Sequence, residues 1–413
     1  MGSTHLGSEH GAAEAAADEL RTTIAVRERA LQLLARARAG QSRWFNVEDG
    51  GLDTAADEIR QSIKHNHPRG HVPIHSRWRH FEAGGVDRRK ELERLLGDAP
   101  LSMKAHAMVD LTIVSVLLDG GAGPDWKYTE AATGKTFTRS EGLAVASFHA
   151  FTGGLFSGDT LRPLQADSTG LRALATDRLA AAFQVTPSNP LVGLEERAIL
   201  LRRLGEAMTE QPEVFGEVGR PCGIYDQIIT PFGHGVPHTA DVAAHDILSQ
   251  ILTSMSGIWL AGNAIGSVPL GDCWRHEAVR GPGLSDGWMP FHKLSQWMTY
   301  SLLEPFEWSG VKVLNVELLT ALPEYRNGGL MIDSGTLQLK DAAAGNELWK
   351  PGDEIIVEWR ALTLGLMDEL AARMDMPLAR MLEGGSWAAG RALAQRQRNG
   401  LPPLRVDSDG TVF

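Results

Sequence analysis

Glu324, Tyr325 and Arg326 stand in a row between Pro323 and Asn327-Gly328-Gly329, inside the stretch LTALPEYRNGGLMIDSG. A proline before an acid and Asn-Gly-Gly after it predict a sharp turn, and a carboxylate on such a turn can be aimed into a pocket as a base or electrostatic stabiliser. The plainer alternative is a surface ion pair between Glu324 and Arg326 over a closing turn. Upstream, FHKLSQWMTYSLLEP sets Leu294, Met298 and Leu302 on one helical stripe. His292, Gln296 and Thr299 share another face, flanked by Lys293 and Tyr300, and such a face suits a cavity as well as open solvent. Earlier still, HSRWRHF places Arg77, Trp78, Arg79, His80 and Phe81 together. Donors beside flat apolar rings fit a polar, planar or anionic ligand; the alternative is an aromatic core pair with surface arginines.

Three further chemistries are disfavoured. His65, His67, His71, His75 and His80 lie close together, but Pro68, Gly70 and Pro73 break any helical presentation, so no metal is expected there. The glycines of GGAGPDW precede no Gly-Lys-Ser or Gly-Lys-Thr and sit in no Rossmann pattern, and they read as a stop between a helix and a hairpin. The apolar run, paired acids and Thr-rich turn of a phosphoribosyltransferase diphosphate loop are also missing.

These residues must be held by a large, mainly α frame. The 413 residues are 43% hydrophobic and 22% charged, with a net charge of -11 that argues against a nucleic-acid surface and for a small-molecule partner. Cys222 and Cys273 are far apart and outside any metal spacing, which fits a reducing cytoplasm. The uncharged run Ile247 to Gly271 is broken by Ser, Gly, Asn and Pro269 and predicts a buried helix and loop, not a membrane span.

Residues 1–17 read as a disordered lead, and 18–413 as a single helical domain. Leu20, Ile24, Leu31 and Leu34 predict a first helix ending at Gly40. Met103–Leu118 predicts an apolar central helix, and WKYTEAATGKTFTRSEG a small hairpin. Thr138-x-x-Glu141 reads as a capping box for the next helix. Further helices are expected at 172–183, 195–210, 239–257, 290–303 and 355–374, with short strands near Val311 and Met331.

HSRWRHFEAGG, LLDGGAGPDWKY, RSEGLAVASFHAF, PFHKLSQWMTYSLLEP and LTALPEYRNGGLMIDSG, spread over residues 65–390, resemble a family of unknown-function proteins found with fungal and bacterial uracil-catabolism genes and sometimes labelled uracil phosphoribosyltransferases. More distantly, the C-terminal half is similar to the queuosine-salvage N-glycosidases, helical enzymes whose fold is akin to helix-hairpin-helix DNA glycosylases. Their F-x-K-[RL]-x-Q helix is similar to Phe291, Lys293 and Gln296. Their LT-x-x-x-DYR turn is similar to Leu319, Thr320, Glu324, Tyr325 and Arg326, with Glu in place of Asp, and their E-x-R-A segment to Glu358, Arg360 and Ala361.

This resemblance implies an N-ribosyl hydrolase that releases urea from ribosylurea or its 5′-phosphate through an oxocarbenium-like state. Glu324 would stabilise that state or activate water, with Asp333 and Glu358 as the other acids open to that task. Arg326 would hold the carboxylate ionised or grip the sugar, and Lys293, His292 or Arg77 would bind a phosphate or protonate the leaving group. Trp78, Tyr325, Gln296 and Glu141 would line a planar ureido pocket, with His80, Glu358 and Arg360 also at the substrate. The expected partner is thus a ribosyl-urea type small molecule, with neither nucleic acid nor membrane, no cofactor or metal, and homo-oligomerisation left open. Two other classes stand beside it: a non-catalytic pyrimidine-metabolite-binding or regulatory protein, and a metal-dependent amidohydrolase acting on the ureido carbonyl.

Overall fold

The computed structural model describes residues 3–230 and 240–407. Helices dominate it, and the strands among these residues pair only in twos, so the chain is mainly α. The described residues gather into two compact units. The first is built from the chain up to His75, from Gly262–Lys293 and from the segment after Glu317. The second comprises Ser76–Ala261 and Leu294–Val316.

In the first unit, residues 3–17 of the expected disordered lead are helical, and residues 1–2 lie outside the described residues. A helix runs Ser3–Leu20, and Ala13, Ala16, Ala17 and Leu20 on one stripe are buried with Ile265, Val268, Leu270, Cys273 and Trp288. Alanine is the strongest helix former, so a run that reads as low complexity is also an amphipathic helix with small knobs. The expected first helix starts late, at Thr23, because Thr22 is extended and its hydroxyl accepts the Ala25 N–H.

That helix, Thr23–Arg38, packs along Glu354–Arg373. A Cβ on Gly365 would meet Leu34 at 2.8 Å, and Arg27 pairs with Asp368. Phe45–Val47 pairs antiparallel with Leu337–Leu339, and Cys273–Arg275 with Trp288–Pro290. Asn-Gly-Gly does not turn the chain: it lies within the helix Tyr325–Asp333, and the strand expected near Met331 begins only at Leu337. Gly328 is required by close packing, since the Trp359 indole donates to its carbonyl at 3.0 Å and leaves no room for a side chain.

In the second unit the helix Leu101–Leu117 is buried on every side from Ala107 onward. The hairpin Lys127–Thr129/Thr136–Thr138 forms as the alternation predicts. Its neighbour, Arg139–Thr152, lacks the expected capping box: Thr138 makes no side-chain cap bond. The helix expected at 172–183 is split into Ser168–Arg172 and Thr176–Ala182, and that at 239–257 is confined to Ala244–Ser254 by the strand Asp241–Ala243, with position 239 outside the described residues. No helix among the described residues is long and apolar enough to cross a membrane.

The glycine packing gives a direct test. Gly328→Ala would put its Cβ 2.6 Å from the Trp359 ring and is expected to cost about 1–3 kcal/mol in a urea melt. At Gly329 the nearest atom stands 3.5 Å away, so Gly329→Ala is expected to be neutral or mildly stabilising.

Candidate functional site

Glu324 caps a helix. Its backbone is extended, and the carboxylate turns back on the first turn of Tyr325–Asp333, Oε2 accepting the Arg326 N–H and Oε1 the Asn327 N–H, both at 2.7 Å. The reciprocal fit of an acid to a helix N-terminus explains why a glutamate follows Pro323. Each oxygen keeps a second lone pair, and the residue is half-buried, so the cap does not use up the group. Burial pushes the Glu324 carboxyl above its ordinary value; the two N–H bonds and the charges of Lys293 and Arg326 pull the other way without overcoming it. A carboxylate raised in this manner is a better base near neutral pH.

Arg326 is not the partner of a surface ion pair. It is 4% exposed, and its Nε and Nη1 donate to no acceptor in the structure. The guanidinium lies over the ring of its neighbour Tyr325, 4.6 Å from the centroid. Asn327 fixes the turn by donating to the Leu322 carbonyl at 2.9 Å.

Behind this turn is a buried pair absent from the motif reading. Arg360 grips Asp272 with two bonds of 2.8 Å and donates through Nε to the Pro323 carbonyl at 3.2 Å. Asp272 also accepts the Lys293 N–H at 3.0 Å and the Trp274 indole at 2.8 Å. Burial alone would raise the Asp272 carboxyl, but Arg360 and these donors hold it below the ordinary carboxylate range. Arg360 therefore positions the turn, and its fork is occupied by protein. The sequence offered no signal for Asp272, a lone acid 88 residues from its partner.

Three other expectations in this unit are corrected. His292 is 4% exposed, its ring 2.9 Å from the Leu20 carbonyl, and burial lowers its pKa, so it is a neutral core group with no proton for a leaving group. Asp333 closes the far end of its helix on Arg398 through both oxygens, which removes it as a water activator. Glu358 is wholly buried, and its neighbours are His276 and, one helical turn before it, Glu354.

The second unit holds the remaining candidates. Arg77 is fully buried and spends its donors on Asp119 at 2.9 Å, Ser115 Oγ at 2.8 Å and the Ser140 carbonyl at 3.1 Å, the needs of a core arginine and not of a phosphate grip. Glu141 lies within charge range of Arg77. Trp78 is 2% exposed and packs edgewise on Phe81 and Trp308, so it cannot stack on a ligand. His80 sits against Trp297, ring centroids 5.7 Å apart. Gln296 is completely buried and Thr299 bonds back to the Ser295 carbonyl, so the polar stripe of that helix is core. The histidine-rich loop forms no metal cluster among the described residues; His75 pairs with Glu383 at 2.7 Å.

The chain is thus mainly α, with a capped, half-buried acid under the charges of Lys293 and the buried Arg326. Residues 19–413 match the family described as "Protein of unknown function (DUF1688)", and the chain belongs to that family. It is 37% identical over 409 residues to "Uracil catabolism protein 4" of Lachancea kluyveri, covering 91% of this chain and 93% of that protein. It is also 37% identical over 405 residues to "Protein urg3" of Schizosaccharomyces pombe, covering 94% and 96%.

Removing Arg360 should expose the cost of the buried pair. Arg360→Met leaves Asp272 uncompensated and is expected to lose about 3–5 kcal/mol by chemical denaturation near neutral pH. In the wild type the depressed Asp272 contributes stability that is complete above about pH 3.9, its unfolded value, and is lost as pH falls through the lower folded value. In the variant only the Lys293 N–H and the Trp274 indole still oppose burial, so Asp272 rises from its wild-type value and the deficit should shrink as pH falls toward about 4.

Proposed function

We propose that this protein is an N-ribosyl hydrolase of uracil catabolism that cleaves the ribosyl C–N bond of ribosylurea, or of its 5′-phosphate, in the cytoplasm. The observation that carries this reading is the Glu324 carboxylate: capped, half-buried and raised in pKa beside two cations. The pathway is supported by the relative named "Uracil catabolism protein 4". The glycosidase chemistry is supported by the similarity of the Lys293, Glu324-Tyr325-Arg326 and Glu358-x-Arg360 segments to the queuosine-salvage enzymes, whose helix-hairpin-helix-like fold is part of the same proposal.

As the C–N bond lengthens, positive charge grows on the ribose ring, and a fixed carboxylate within reach lowers the energy of that state. Glu324 then takes a proton from the water that adds to the anomeric carbon. The departing ureido nitrogen needs a proton, and Lys293, whose charge acts on Glu324, is the group assigned to give it. Arg326 offers its unpartnered Nε and Nη1 to the oxygens of the sugar or its phosphate. Tyr325, half-buried under that guanidinium, borders the same turn.

Purified protein is expected to release urea from ribosylurea or its phosphate, and Glu324→Gln to lower kcat by about 10²–10⁴-fold without unfolding. The acid limb of kcat/KM is expected above the ordinary glutamate value of about 4.3, as the raised Glu324 requires. Stoichiometric binding of both compounds without urea release would instead identify a metabolite-binding protein, and release of ammonia and bicarbonate in place of urea an amidohydrolase.

A further inference from the structure

We propose that His276, Glu354 and Glu358 form a binding site for a divalent transition-metal ion, a site independent of the proposed hydrolase reading. The three side chains bring one ligand atom each to within 4.8 Å of the others. His276 Nε2 stands 3.7 Å from Glu358 Oε2 and 4.0 Å from Glu354 Oε1. With bonds of about 2.0–2.2 Å, tetrahedral ligand atoms stand roughly 3.3–3.6 Å apart, so the two His276 pairs need to close by a few tenths of an ångström, and no pair of the set by more than about 1.5 Å.

Proximity of acids alone would carry nothing; the hydrogen bonding does. Glu358 is 0% exposed, and neither of its carboxylate oxygens receives a hydrogen bond. His276 is 2% exposed, and its Nε2 has no hydrogen-bond partner. A carboxylate with no donors in the interior is strongly unfavourable, and a second one an i,i+4 step away on the same helix face makes it worse. The only group in ion-pair range of either acid among the described residues is His276. A water would satisfy hydrogen bonds but leave two negative charges together; a dication brings the set of two carboxylates and a neutral imidazole to zero.

The donor types narrow the ion. One imidazole nitrogen with two carboxylates suits zinc or manganese and not calcium, whose ligands are oxygens. Three protein ligands leave a position open, and Glu354, a third exposed, provides the way in. His276 Nδ1 lies 3.1 Å from the Ala278 N–H, which puts the imidazole proton on Nε2 in the metal-free protein. Ligation moves that proton to Nδ1 and gives up the Ala278 contact. Bound there, the ion ties the loop after the strand Cys273–Arg275 to the first turns of Glu354–Arg373, the helix to which Arg360 joins Asp272 at the other end of that strand.

The test uses the full chain, stripped with a chelator and titrated calorimetrically with zinc, manganese and calcium. Zinc or manganese is expected to saturate at one equivalent and raise the melting midpoint; calcium should do neither. Glu358→Gln and His276→Ala are expected to weaken binding by more than about 100-fold, beyond an outer-sphere effect. Replacing His65, His67 and His71 with alanine should leave it unchanged. If Glu358→Gln does not fold, the partly exposed Glu354→Gln replaces it, with an expected loss of at least about tenfold. Absence of one-to-one uptake by the wild type, undiminished binding in these variants, or loss only in the histidine-loop variant would each overturn the proposal.

Discussion

The bidentate contact between Arg360 and Asp272 fixes the candidate site. Two charges taken out of water are costly, and such a pair persists only with good geometry and further hydrogen bonds. Here Asp272 also holds the Lys293 N–H and the Trp274 indole, and Arg360 also holds the Pro323 carbonyl. One pair therefore sets the start of the Lys293 helix, the strand after Asp272 and the turn that delivers Glu324. Next to it, the Trp359 indole pins Gly328, so the helix behind the turn is fixed within its first turn.

The capping role of Glu324 is compatible with the proposed one. As a cap it satisfies two backbone N–H groups that a helix cannot satisfy itself. The same bonds orient its oxygens and favour ionisation, while burial opposes it. The balance leaves the carboxyl raised, a setting for a group that accepts a proton and returns it.

The mainly α class, the Lys127–Thr138 hairpin and the apolar central helix were legible because each follows from a local period. The Glu324-Tyr325-Arg326 run stood out by its residue types, though its geometry was misread. Asn-Gly-Gly usually marks a turn, and here tertiary packing against Trp359 makes it helix. Arg77, Trp78 and His292 have site-like chemistry, but their donors and rings are consumed by the core, which no single-chain pattern reveals. Asp272 and His276 were invisible for the opposite reason: neither belongs to a motif, and their partners are tens of residues away.

The account's central claim is that the ribosyl C–N bond breaks and the ureido group leaves whole. The most direct measurement follows substrate carrying ¹³C at the ureido carbon by ¹³C NMR during turnover by the wild type. The account predicts a single product resonance, that of urea, growing in step with free ribose or ribose 5-phosphate. A bicarbonate signal, or substrate that binds and remains unconverted, would contradict it.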